Sequence, residues 1–272
     1  METIIGYVTT STRDSVKPLL SEINKKYNLQ KFYEEEATFK NITSSLPPKS
    51  IILWRMLNTK DFKVKNLAEK LTEEGYILIN SYDATKKADD KLETFKILSE
   101  HKIPTIPTWE CAAGVNIPDN HIVKPRFGMK GENILFGQIT REKIFEPASA
   151  KALAAENYDW IMQPYVPESH KWLRVLIVNG EPIVAYKRIP PQGRNIANVN
   201  QGAKLEYVKL DESITKIAIK TAKTLNLTIA GIDLTHAPHL VVEANSVPAV
   251  PEAAAERFSK ETLKYLSQII ND

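Results

Sequence analysis

The dipeptide Asn179-Gly180, set between the apolar runs Leu173–Val178 and Pro182–Ile189, constrains the fold more tightly than any other short segment of this chain. Asn-Gly suits the positive-φ positions of a type I′ turn, whose twist matches that of the flanking strands, so a tight antiparallel hairpin is predicted. With a two-residue turn, Arg174 pairs with Ala185 and shares its face with Lys187, whereas Arg188 points to the other face. Both arginines reach one site only if a bulge or strong twist intervenes.

A second hairpin is predicted in IAGIDLTHAPHLVVEANSVP, where two runs rich in Ile, Leu and Val are joined by a turn containing Pro238. If the loop is Ala237 to His239, Asp233 lies opposite Glu243, at about 5 Å between Cβ atoms. Asn245, two residues on, shares that face. Two carboxylates and an amide oxygen make a hard-oxygen set suited to Mg²⁺ or Mn²⁺, with positions left for phosphate oxygens. A solvated edge hairpin with surface acids is the alternative reading of the same residues.

The chain has 272 residues, 43% of them hydrophobic, enough for a substantial core divided over two or three lobes. No apolar run approaches the length of a membrane span, and the amino terminus lacks the pattern of a secretory signal, so the expected location is the cytoplasm. Cys111 is the only cysteine, which excludes an intrachain disulfide and a thiolate-rich zinc site. The 36 basic and 33 acidic residues are spread along the chain, which argues against nucleic-acid binding. A local positive pocket for phosphates or an acidic substrate fits the same composition. His236 and His239 flank a turn without metal-ligand spacing and are expected in solvent.

Up to about residue 85 strands and helices alternate: strand Thr3–Thr9, helix Asp14–Tyr27, strand Ile51–Trp54, helix Asn66–Glu74, strand Tyr76–Ile79. That is a small α/β domain, and it lacks the Gly-rich turn of a dinucleotide site after its first strand. Lys86–His101 is predicted as one helix, followed by short strands, a loop at Gly128 to Gly131 and a helix near Ala148–Glu156. Helices at Ser213–Leu225 and Lys260–Ile270 complete the chain.

Two further segments carry chemistry. In IVKPRFGMKGENILF a strand delivers Lys124, and Gly128 and Gly131 would let backbone N–H groups approach phosphate oxygens; the Walker spacing is absent, and a surface turn is the plain alternative. In WIMQPYVPES an apolar strand ends at Gln163 and continues through Tyr165 and Val166, as either a hinge offering backbone groups to an adenine edge or a simple linker.

Taken in order, these segments resemble the ATP-grasp superfamily, in its RimK-like and LysX-like α-L-glutamate ligase branch. The resemblance runs from about Ile79 to the carboxyl end and includes INSYDATKKADDKLETFKILSEHKIPTIPTW, VKPRFGMKGENI, QPYVP, LRVLIVNGEPIVAYKRI, NIANVNQGAK and GIDLTHAPHLVVEANSVP. It implies an α/β (α+β) ATP-grasp fold: a pre-ATP-grasp domain over 1–85, a lid subdomain over 86–163 and a carboxy-terminal subdomain over 164–272. It also implies that Lys91, Lys124, Gly128 and Gly131 bind ATP phosphates and that Gln163 with the Tyr165-Val166 backbone holds adenine. Arg174, Arg188 and Asn198 would line the nucleotide and acyl-phosphate pocket, with Asp233, Glu243 and Asn245 as magnesium ligands. The chain departs from the family at Trp172, where an acidic ribose ligand is common and Glu168 would substitute. It departs again at Ile196-Ala197-Asn198 with Gln201-Gly202-Ala203, where an Arg-Ser-Asn pattern precedes basic-Gly-Gly, and at Ala249, usually glycine.

The activity implied is an ATP-dependent carboxylate-amine ligase, ADP-forming through an acyl phosphate, adding glutamate or a related amino acid to a small molecule, coenzyme or carrier protein. A non-catalytic ATP-binding regulatory protein and a kinase on the same fold are the alternatives. The partners implied are amino-acid and carboxylate substrates, with a homo-oligomer open and neither nucleic acid nor membrane expected.

Overall fold

A computed structural model of the chain describes residues 3–10, 16–111, 116–127, 134–136, 159–166, 173–189, 204–236 and 238–271. The first sheet is parallel, in the order β2-β1-β3-β4, from β1 (Ile4–Thr9), β2 (Asn28–Tyr33), β3 (Ile51–Arg55) and β4 (Ile77–Ile79). Its helices are α1 (Lys17–Lys26), α2 (Phe39–Ser45) and α3 (Phe62–Glu73). The expected α/β alternation is present; β2 and α2 are additions that the apolar pattern did not announce.

The predicted single helix over 86–101 is two helices, α4 (Tyr82–Asp89) and α5 (Lys91–Glu100). Asp90 separates them, with its own backbone extended and its side chain accepting from Glu93 N–H. A carboxylate that satisfies an orphan amide at a helix start stabilises a break there, and Glu93 at the third helical position completes the capping-box spacing.

The middle sheet has the order β5-β8-β6-β7, with antiparallel pairings, from β5 (Trp109–Cys111), β6 (His121–Pro125), β7 (Leu135–Phe136) and β8 (Trp160–Pro164). The third sheet, also antiparallel, has the order β11-β10-β9-β12-β13: β9 (Leu173–Val178), β10 (Glu181–Ile189), β11 (Lys204–Val208), β12 (Ile229–Leu234) and β13 (Val241–Asn245). Both expected hairpins form, and Asn179 and Gly180 have the positive φ values that the turn requires.

One face of the third sheet packs on α6 (Glu212–Thr224) and α4 through Val175, Ile177, Ala230 and Ile232. On the other face Leu176, Val178 and Ile229 join α1, β1 and α7 (Glu252–Asn271) in one core. This last helix begins at Glu252 rather than Lys260, because the alanines at 253–255 are strong helix formers. Asn80, 2% exposed, fastens the first sheet to the third: its Nδ2 donates to Ile229 O at 2.8 Å and Ser246 O at 2.7 Å, and its Oδ1 accepts from Ile229 N at 2.9 Å. No helix among the described residues is long and apolar enough to cross a membrane.

Candidate active site

The register of the third sheet sets Tyr186, Arg174, Asp233 and Glu243 side by side on four adjacent strands. The pairing differs from the expectation for β10. A register shift between Pro182 and Val184 pairs Arg174 with Tyr186, not Ala185. The inserted residue turns Arg188, two beyond Tyr186, to the face of Arg174, so the bulge condition is met.

Both arginines close on Asp233. Arg174 Nε donates to Oδ1 at 2.6 Å and Nη2 to Oδ2 at 2.7 Å, while Arg188 Nη2 reaches Oδ2 at 2.5 Å. Asp233 is fully buried, unlike the surface acids of a solvated edge hairpin. The physical reason is the pair of guanidinium groups: a carboxylate can leave water when charge-assisted hydrogen bonds replace its hydration. Burial alone would raise its pKa, but Arg174 and then Arg188 outweigh it and hold the carboxyl below its ordinary value. Burial would likewise lower the Arg174 pKa, yet the Asp233 carboxylate holds it above its usual range.

Glu243 stands directly across from Asp233 and is half-buried. Asn245 is opposite Gly231, and its Nδ2 donates to Gly231 O at 3.3 Å, which leaves Oδ1 as the amide atom suited to a cation. Gly231 was not singled out in the sequence, although a Cβ there would lie 2.9 Å from Pro248 Cβ and 3.6 Å from Arg174 Cδ. Its lack of a side chain lets Pro248 and the Arg174 stem close over β12. Two carboxylates and an amide oxygen on one face are donor types suited to Mg²⁺ or Mn²⁺, although both Asp233 oxygens also accept from the two arginines.

The middle sheet presents the opposite charge. Lys124 on β6 is buried, and its pKa is lowered to about 8. Burial is the main cause; Glu243 opposes it, Lys91 lowers the pKa further and Asp233 raises it, so Glu243 and Asp233 of the third sheet and Lys91 of α5 all act on Lys124. The Phe95 ring lies 5.9 Å from Lys124 Nζ. Gln163 pairs with Ile122 and shares the Lys124 face; it is buried, with Nε2 donating to Thr108 Oγ1 at 2.8 Å. Tyr165 N–H is committed to Asn120 O at 2.7 Å and therefore anchors the end of β8.

The structure thus gathers Lys91, Glu243 and Asp233 around Lys124, with Arg174 and Arg188 on Asp233 and Asn245 on the Glu243 face, while Gln163 shares the Lys124 face and Tyr165 and Val166 lie just beyond β8. Gly128, Gly131 and Asn198, with Trp172, Glu168 and the helix expected near 148–156, lie outside the described residues. His236 is exposed as expected, whereas His239 is half-buried with its Nδ1 3.1 Å from Thr235 O. Cys111 is buried, which raises its thiol pKa.

Solved structures share this arrangement of sheets. D-cycloserine synthetase DcsG superposes with a TM-score of 0.71 at 18% identity, over 97% of this chain and 99% of that one. A D-alanine–D-alanine ligase from Bacillus anthracis gives 0.68 at 15% identity, over 99% and 96%. A RimK-domain ATP-grasp protein from Sphaerobacter thermophilus also gives 0.68, at 12% identity over 96% and 97%. The architecture is the ATP-grasp fold. Residues 88–263 match the RimK-like ATP-grasp domain, and the chain belongs to that family. Among curated relatives, a protein named "Probable alpha-L-glutamate ligase" from Haemophilus influenzae is 24% identical over 235 residues, covering 82% of this chain and 76% of the relative. Its namesake from Shewanella halifaxensis is 25% identical over 219 residues, covering 72% of this chain and 47% of the relative, so the chain spans about half of that protein.

Proposed function

We propose that the chain is an ATP-dependent carboxylate-amine ligase that forms ADP and an acyl phosphate before an amine closes the amide bond. The observation that carries this reading is the approach of Lys124 on β6 and Lys91 on α5 to the hairpin that presents Asp233, Glu243 and Asn245. A substrate carboxylate and a triphosphate are both anionic, so their approach requires cations placed in advance. Magnesium bound by Asp233, Glu243 and Asn245 would supply charge neutralisation at the phosphate oxygens.

Lys91 and Lys124, with the backbone of the 128–131 loop, hold the phosphates in this reading; Gln163 and the Tyr165-Val166 segment hold the adenine, and Asn198 completes the pocket. Arg174 keeps Asp233 oriented through its fork. Arg188, whose Nη2 donates to Asp233 Oδ2, is the arginine assigned to the acyl phosphate in this reading. The three parts are 1–85, preceding the grasp, 86–163, carrying the phosphate loop, and 164–272, carrying the metal hairpin. By analogy with the curated relatives, the amine is glutamate or a related amino acid, and the carboxylate belongs to a small molecule, coenzyme or carrier protein. The enzyme would act in the cytoplasm, as a monomer or a homo-oligomer.

Hydroxylamine tests the chemistry. Incubated with ATP, Mg²⁺ and a panel of candidate carboxylates, without amine, the protein is expected to yield a hydroxamate with ADP and phosphate in equal amounts. AMP and pyrophosphate would instead reveal an acyl adenylate and overturn the reading. Phosphorylated product without phosphate release, even when amines are added, would identify a kinase.

A further inference from the structure

Two lysines are buried together at the phosphate end of the cleft, and like charges at close quarters repel. Lys124 projects from β6, and Lys91 is the first residue of α5; both are under a tenth exposed. Phe95, one helical turn after Lys91, turns its ring to Lys124, so one face of α5 lies along the Lys124 side of β6. A specific link holds these elements together. Arg126, two residues beyond Lys124, grips Asp90 with both prongs of its guanidinium: Nε to Oδ1 at 2.7 Å and Nη2 to Oδ2 at 2.6 Å.

The link is doubled in the backbone, where Lys91 N–H donates to Arg126 O at 3.1 Å. Asp90 also caps α5 through Glu93 N–H at 3.1 Å, so one buried carboxylate fixes both the helix start and the strand end. Arg126 N–H in turn donates to Asp159 O at 2.8 Å, just before β8. Asp90 takes the Nε and Nη2 prongs of Arg126, and Arg126 Nη1 lies 3.7 Å from Glu110 Oε1.

We propose that the Asp90–Arg126 pair is a positioning device that stitches α5 to the end of β6 and so holds Lys91 and Lys124 at the spacing a polyphosphate requires. The proposal rests on the reading of the two lysines as phosphate ligands. It makes a prediction opposite in sign to simple electrostatics. A carboxylate near an anion site weakens anion binding through space, so removing the Asp90 charge should tighten ATP binding if charge is all that matters. If Asp90 positions Lys91, removing it loosens ATP.

Calorimetric titration of the full chain with MgATP, without carboxylate or amine, decides between them. Arg126→Lys keeps the charge but loses the fork, and Asp90→Ser keeps a helix-capping oxygen but loses the ion pair. Each is expected to weaken ATP about tenfold, and neither should weaken it further in a Lys91→Ala background, because a positioning residue acts through its client. Retained or tighter binding in either folded single variant overturns the proposal, as does a loss that adds in full to that of Lys91→Ala. Wild-type affinity in Lys91→Ala alone would overturn the phosphate reading of Lys91 itself, and this proposal with it.

Discussion

The third sheet and the middle sheet both bury charge, and they treat it in contrary ways. On the third sheet Asp233 is enclosed by three charge-assisted hydrogen bonds from two arginines, and its pKa is held down. On the middle sheet Lys124 is equally buried, makes no salt bridge among the described residues and has its pKa pulled down toward neutrality. The first charge is matched by the protein's own arginines; Lys124 has no such carboxylate fork among the described residues, and a bound anion would supply the match. A cleft for a charged ligand can thus be recognised by the side that is electrostatically unfinished.

The sharpest way to break this contrast is Asp233→Ala. Removing Asp233 from a buried ion cluster takes away the carboxylate that two guanidinium groups share, so a stability loss of about 3–5 kcal/mol is expected in urea unfolding, along with loss of turnover. A loss below about 1 kcal/mol would show that the cluster is not self-contained. Glu243→Gln comes next: half-buried and outside the arginine fork, it should cost less than about 1 kcal/mol of stability while reducing turnover by about a hundredfold through the metal. Equal destabilisation by both variants would erase the distinction between the two carboxylates.

The lysine side is read by pH. Because the folded pKa of Lys124 lies below its unfolded value of about 10.4, the unfolded chain binds the extra proton between the two values. Stability from this group should therefore rise as pH goes from about 8 to 10, while ATP affinity falls about tenfold between about pH 7 and 9 as the ammonium is lost. In Lys124→Ala both trends should flatten, as chemical unfolding and ATP titration across that range would show; a parallel rise of both observables in the unsubstituted protein would remove Lys124 from the phosphate site. The smallest effect is expected for Asn245→Ala. A neutral oxygen contributes less to a divalent cation than a carboxylate, so metal titration in the presence of ATP should weaken by roughly threefold to tenfold.

Much of this contrast was legible in the residues. Asn179-Gly180 announces its hairpin through turn chemistry alone, and the spacing of Asp233, Glu243 and Asn245 announces a shared face. What escaped depends on one-residue events. The register shift near Ile183 exchanges the faces of everything after it on β10, and nothing in an apolar run marks where an extra residue will sit. The break at Asp90 was readable, since Asp90 and Glu93 have capping-box spacing, but the helical periodicity on either side masks it. The burial of Asp233 was not readable, because it depends on two arginines arriving from other strands. Gly231 escaped because its role is to be absent from a space that only the folded chain defines.

Asn80 has a bearing on how such a cleft can open. Its amide takes both backbone groups of Ile229 and the carbonyl of Ser246, and the first and third sheets already share one apolar core. Those two sheets are thereby tied together, and the Asp90–Arg126 fork with the Lys91–Arg126 backbone bond joins β6 of the middle sheet to α5, so any opening would have to break these named bonds. Thr105, bridged to Val241, and Ile106 N–H, which donates to Val241 O, fasten the segment after α5 to the third sheet as well. Hydrogen exchange can follow these ties: the Ile229 and Lys91 amides, which donate to Asn80 Oδ1 and Arg126 O, should both stay protected with and without nucleotide.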